Sequence, residues 1–191
     1  MSKGRLEAFS DGVIAILITI MVLELKVPHS ADLEGLREML PSLLSYVLSF
    51  LMLGIFWSNH HHMLHAVSRI NGKILWANLH LLFWLSLVPA TTNWMGDHHR
   101  TATPTAAYGL VLLMAALAYS ILQLVIIAYE GPASTLARAI GRDAKGKVSL
   151  LLWAAAVGGA FVDPWISDAI YAGIALMWLA PDRRIESTIV T

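Results

Sequence analysis

A membrane-length apolar segment that begins with charge has few ways to fold. The run Phe9 to Leu25 is apolar enough to cross a bilayer, yet Arg5, Ser10 and Asp11 stand at its start. In hydrocarbon such groups persist only against protein partners or water. The segment therefore reads as one helix of a larger bundle, with its polar start satisfied by neighbours. It lacks the short apolar core and small-residue cleavage site of a signal peptide, and so is kept as a transmembrane helix.

Five further runs of similar character follow. A hydrocarbon core of about 30 Å needs about 20 mostly apolar residues per helix. On that measure the chain divides into segments at about Phe9–Leu25, Pro41–Met63, Leu75–Met95, Ala106–Tyr129, Val148–Val162 and Trp165–Ala180. The expectation is an all-α, polytopic membrane protein with six transmembrane helices in a single domain over residues 1–191. The link Lys26–Leu40 holds a short amphipathic piece over Leu33–Leu40, and Glu130–Lys147 is the longest polar stretch, broken by Gly131-Pro132. The last two segments are short and separated only by Asp163-Pro164, so a re-entrant hairpin is the alternative there. At 57% hydrophobic residues, 14% charged residues and zero formal net charge, no basic field suggests nucleic-acid binding. The absence of cysteine excludes thiolate metal sites, disulfides and cysteine nucleophiles.

Orientation follows from the basic residues, which concentrate in cytoplasmic loops. Six spans with an internal N-terminus place Lys3, Arg5, Arg69, Lys73, Arg138, Arg142, Lys145, Lys147, Arg183 and Arg184 inside, and only Lys26, Arg37 and Arg100 outside. That bias favours both termini in the cytoplasm.

The same orientation brings several polar groups to one depth. Ser10 and Asp11 start segment one, Trp57-Ser58-Asn59-His60-His61-His62 ends segment two, and Asn78 lies near the start of segment three. A network among Arg5, Asp11, His60 or His61 and Asn78 would satisfy groups that are expensive alone. His61 and His65 also share a helical face at a spacing a divalent ion could bridge, but no Cys or His-Glu-x-x-His arrangement accompanies them. The cluster is read as structural, with no metal. Nothing resembling a nucleophile elbow or oxyanion hole surrounds Ser10, so the chain does not read as an enzyme. Along segment one, Gly12, Ile16, Thr19 or Ile20, and Leu23 recur at helical spacing as one stripe. Such a stripe is either a packing face or the lining of a pore built from several copies.

Arg5-x-x-x-Phe9-Ser10-Asp11, Phe56-Trp57-x-x-His60-His61, Trp76-x-Asn78-Leu79-x-Leu81-x-Phe83 and Leu87-x-Pro89 together resemble the bacterial branch of the transmembrane protein one-seven-five family of potassium channels. The resemblance is strong over the first half of the chain and rests on length and topology in the second. It implies six helices per chain, a homotetramer in the bacterial plasma membrane, and a pore lined by the first helix without a carbonyl filter. It places the narrowest apolar ring on Ile16, further apolar layers on Ile20 and Leu23, and the hydroxyl tied to cation preference on Thr19. It also implies an inner polar network of Arg5, Phe9, Ser10, Asp11, Trp57, His60 or His61, and Asn78. No cofactor is implied, with potassium ions as the permeant species. The competing expectation is a proton-coupled transporter or proton pathway using Asp11 and the inner histidines.

Overall fold

The computed structural model describes residues 2–28, 30–140 and 143–179. The described residues form eight helices and no strand: α1 Lys3–Leu23, α2 Leu33–His65, α3 Gly72–Ser86, α4 Val88–Asp97, α5 Ala102–Glu130, α6 Thr135–Ile140, α7 Ala144–Gly159 and α8 Pro164–Leu179. Arg142, Arg183 and Arg184, part of the inner positive set, and Ala180 lie outside the described residues.

Helix α1 shows how the pattern becomes packing. Leu6, Ser10, Ile14, Leu17 and Met21 recur every three or four residues and are all buried. They face α2, α3 and α4. The other face of α1 stays open.

Helix α2 departs from expectation at its start. Leu33–Leu40 is not a separate piece ahead of Pro41 but the first turns of one helix of 33 residues, with Pro41 inside it. At 1.5 Å per residue that helix is about 50 Å long, more than a bilayer core requires. Pro41 withholds an N–H from the Arg37 carbonyl. The interruption is tolerable because Leu36, Arg37 and Leu40 are exposed there, leaving that carbonyl within reach of solvent. Asp32 caps the helix, accepting from the Glu34 and Gly35 amides. The Ser30 hydroxyl, together with the Gly35 amide, holds the Asp32 carboxyl below its usual range.

The third apolar run also differs, dividing into α3 and α4 at Leu87. Pro89 cannot donate to the carbonyl four residues back, so the ladder breaks at that turn. The Leu87 N–H turns back to the Trp84 and Leu85 carbonyls, and beyond the break the Thr92 hydroxyl donates to the Val88 carbonyl at 2.8 Å.

Contacts between helix ends define two ends of the bundle. At one, Lys3 Nζ donates to the His65 carbonyl at 2.7 Å, and Ser68 donates to Glu130. At the other, Lys26 pairs with Asp97, and the Asn93 amide donates to Glu24 at 3.4 Å. The first end carries Lys3, Arg5, Arg69, Lys73 and Arg138, the side read as inner.

Helix α5 runs through the middle of the bundle, against α3, α4, α7 and α8. Its Tyr108 meets Tyr171 with ring centroids 5.3 Å apart, and Tyr171 meets Trp153 at the same distance. All three rings are fully buried or nearly so. Among the described residues four stretches, Lys3–Leu23, Leu33–His65, Gly72–Asp97 and Ala102–Glu130, are long and apolar enough to cross a membrane. Helices α7 and α8 have 16 residues each, about 24 Å of helix.

Candidate functional site

Three helices meet where the sequence expects a polar network. Ser10 on α1, His60 on α2 and Asn78 on α3 are all buried, at 0%, 1% and 0% exposure. Asn78 Nδ2 donates to Ser10 Oγ at 2.9 Å, and Asn78 Oδ1 lies 2.6 Å from His60 Nε2. With Oδ1 accepting, His60 carries its proton on Nε2. One amide thus joins α1 to α2 by using both of its ends.

Beside this buried chain, Trp57 Nε1 donates to Asp11 Oδ1 at 3.0 Å, a second link between α1 and α2. His61 takes a different role from His60. It is exposed, with its ring 6.2 Å from Trp57 on one side and stacked 6.2 Å from His65 on the other. Of the two histidines open at the sequence level, His60 is the one hydrogen-bonded to Asn78. Phe9 and Arg5 are exposed on α1, and the structure brings neither into this hydrogen-bonded set. Among the described residues no group of three or more His, Cys, Asp or Glu is placed to hold a metal ion.

From Gly12 onward α1 presents an open face. Gly12, Ile16, Thr19, Ile20 and Leu23 are all exposed, with Ile16 at 59% and Leu23 at 79%. This face lies opposite the Leu6-to-Met21 face that packs into the bundle. The Thr19 hydroxyl lies 3.0 Å from both the Ala15 and the Ile16 carbonyl oxygens. Its proton is therefore committed to the helix, and its oxygen lone pairs are what the side chain offers outward.

A second polar chain went unread in the sequence. Thr92 on α4 is hydrogen-bonded to Ser49 on α2 at 2.7 Å, and Ser49 to Tyr108 on α5 at 3.0 Å, all three buried. The available signal was a hydroxyl in each of three apolar runs on the side away from His60 and Asn78: Ser49 in the first half of its run, Thr92 near the end of its run and Tyr108 near the start of its run, a pattern that joins membrane helices.

Against known proteins, residues 5–89 match a family described as "Endosomal/lysosomal potassium channel TMEM175". A potassium channel of Chryseobacterium sp. (strain P1-3) is 51% identical over 189 residues, covering 99% of this chain and 98% of that one. The chain belongs to the TMEM175 family. A solved structure, described as a lysosomal potassium-selective channel TMEM175 homologue from Chamaesiphon minutus, superposes with a TM-score of 0.79 at 28% identity. It covers 93% of this chain and 96% of that one. The human relative is named an endosomal/lysosomal proton channel and is 32% identical over 96 residues, 44% of this chain and 19% of its own length. Membership places the protein among membrane ion channels rather than enzymes. The TMEM175 match runs from α1 through α3 to Pro89, so it contains both the Ser10–Asn78–His60 chain and the open face of α1.

Proposed function

We propose that this protein is a passive, potassium-preferring channel of the bacterial plasma membrane, assembled from four copies with both termini in the cytoplasm. In this reading all six apolar segments span, α7 and α8 included. The α1 helices surround the axis, Ile16 forms the narrowest apolar ring, and Ile20 and Leu23 add further rings. No cofactor takes part, and potassium ions are the permeant species.

The observation that carries this reading is the division of α1 into two faces. One is packed against α2, α3 and α4; the other presents Gly12, Ile16, Thr19, Ile20 and Leu23 in line. An apolar ring gates by dewetting, and a hydroxyl beside it offers an oxygen to an ion that has shed part of its water. The buried Ser10–Asn78–His60 chain supports the same arrangement by fixing α1 against the bundle, so that four copies could present one face at one radius.

The test is potassium flux from proteoliposomes for the wild type and Ile16→Asn. Wetting the ring should raise leak by an order of magnitude or more, because a polar side chain removes the dewetting barrier. Equal flux in the two would remove Ile16 from the pore.

A second reading is proton permeation, favoured by the name of the human relative and by Trp57, which donates to Asp11 and has the His61 ring 6.2 Å away. Opposed potassium and proton gradients separate the two readings. A reversal potential that follows potassium supports the first; one that follows pH supports the second.

A further inference from the structure

The cleft at the inner end of the bundle plays no part in the conduction path just described. It is an open space of about 660 Å³ between the α2–α3 link and the segment that joins α5 to α6. Ser68 and Arg69 lie on one wall, and Tyr129, Glu130, Thr135 and Arg138 on the other.

The walls are held in place. Glu130 Oε1 accepts from both the backbone amide and the hydroxyl of Ser68, so the carboxylate in the lining is engaged in tying one wall to the other. Leu136 is buried and fastens α6, which carries Arg138, to the body of the protein. The positive groups are not engaged in the same way. None of the ion pairs among the described residues involves Arg69 or Arg138. Two guanidiniums on opposed walls therefore line a cleft whose carboxylate is already hydrogen-bonded.

A guanidinium is a planar fork of donors that matches phosphate oxygens in pairs. Basic pockets at the membrane-surface ends of helices suit anionic headgroups for the same reason. Half-exposed Tyr129, at the last turn of α5, puts the cleft at the level where aromatic side chains mark the headgroup region. We propose that this cleft binds a phosphate-bearing anion between Arg69 and Arg138, drawn either from a lipid headgroup or from free phosphate. The site does not depend on which helix lines the pore.

The experiment uses the full chain and reads binding by native mass spectrometry and by tryptophan-fluorescence unfolding. The probes are phosphatidic acid, phosphatidylglycerol, phosphatidylcholine and inorganic phosphate. Arg69→Gln and Arg138→Gln should each weaken binding about fivefold, and the double variant about 25-fold, from the worth of one basic group near an anionic headgroup. Lys73→Gln with Lys147→Gln removes the same charge from the same end but outside the cleft, and should leave binding near wild type. Arg69→Lys and Arg138→Lys should keep part of the affinity. Binding of the anionic lipids alone, with this arginine dependence, supports the site and names a headgroup as its ligand. The same dependence for inorganic phosphate supports the site with a soluble anion as its ligand. Wild-type affinity in the double arginine variant, or equal loss in the lysine pair, overturns the proposal.

Discussion

His60 Nε2 lies 2.6 Å from Asn78 Oδ1 in the interior of the bundle, and the other end of the same amide reaches Ser10 on α1. Through these two hydrogen bonds the orientation of α1 about its own axis is tied to α2 and α3. A rotation of α1 that moved its open face would break a buried hydrogen bond, so the polar groups set where the aliphatic ones point.

Replacing Asn78 with Leu leaves the Ser10 hydroxyl and the His60 N–H buried without their partner. The expected loss is about 1–3 kcal/mol, the desolvation cost of orphaned polar groups. Unfolding followed by tryptophan fluorescence in detergent measures it. His60→Leu added to Asn78→Leu should cost less than the sum of the two, since the groups share one network. A wild-type midpoint for Asn78→Leu would show that the amide holds nothing.

Trp57→Phe keeps the ring and deletes the N–H that reaches Asp11. Asp11 is partly exposed, so water can replace the lost donor. The expected destabilisation is about 1 kcal/mol or less, smaller than at Asn78. The same unfolding measurement orders the two variants, and a larger loss at Trp57 would reverse the relative weight given to the two α1–α2 links.

At Thr19 the hydroxyl proton is held by the helix and the oxygen is free to meet an ion. Thr19→Val keeps the shape and removes that oxygen, whereas Thr19→Ser keeps it. Under potassium and sodium on opposite sides of a bilayer, Val should move the reversal potential toward zero and Ser should stay near wild type. Unchanged selectivity in Val would detach Thr19 from ion preference.

How much of this was legible beforehand varied with the kind of signal. The buried partners Ser10, His60 and Asn78 could be read because each is a polar residue near one end of an apolar run, and successive spans that alternate in direction bring those ends to one side. The choice between His60 and His61 could not, because neighbours in sequence point about 100° apart on a helix and only packing decides which turns inward. In the sequence Leu33–Leu40 stands apart as an amphipathic piece of the polar link, ahead of an apolar run that starts at about Pro41. The structure continues the helix through it, since one missing hydrogen bond at an exposed turn is a small loss. Pro89 has the opposite outcome, breaking α3 from α4 where the chain is buried and the Leu87 N–H turns back to the Leu85 carbonyl that proline cannot serve. The Ser49–Thr92–Tyr108 chain is less legible, because a single hydroxyl is ordinary in a membrane helix and only packing brings the three together.

The contact of α5 with α8 offers a sharper test of packing. A Cβ placed on Gly109 would overlap Tyr171 Oη, and Val157 lies close by on α7. The same Oη donates to the Thr105 carbonyl at 2.9 Å, so Tyr171 reaches α5 only because residue 109 has no side chain. Close helix approach at small residues is a main source of association in membranes. Gly109→Ala should therefore destabilise by about 1–3 kcal/mol through overpacking, despite the better helix propensity of Ala. Tyr171→Phe removes the obstructing oxygen and one hydrogen bond, costing about 1 kcal/mol, since the Thr105 carbonyl keeps its place in the α5 ladder. In the Tyr171→Phe background the Gly109→Ala change meets less obstruction, so the double variant should be more stable than the sum of the singles predicts, by about 1 kcal/mol. Strict additivity would mean that α8 yields by moving as a body, and that the tyrosine hydroxyl does not set the distance between the two helices.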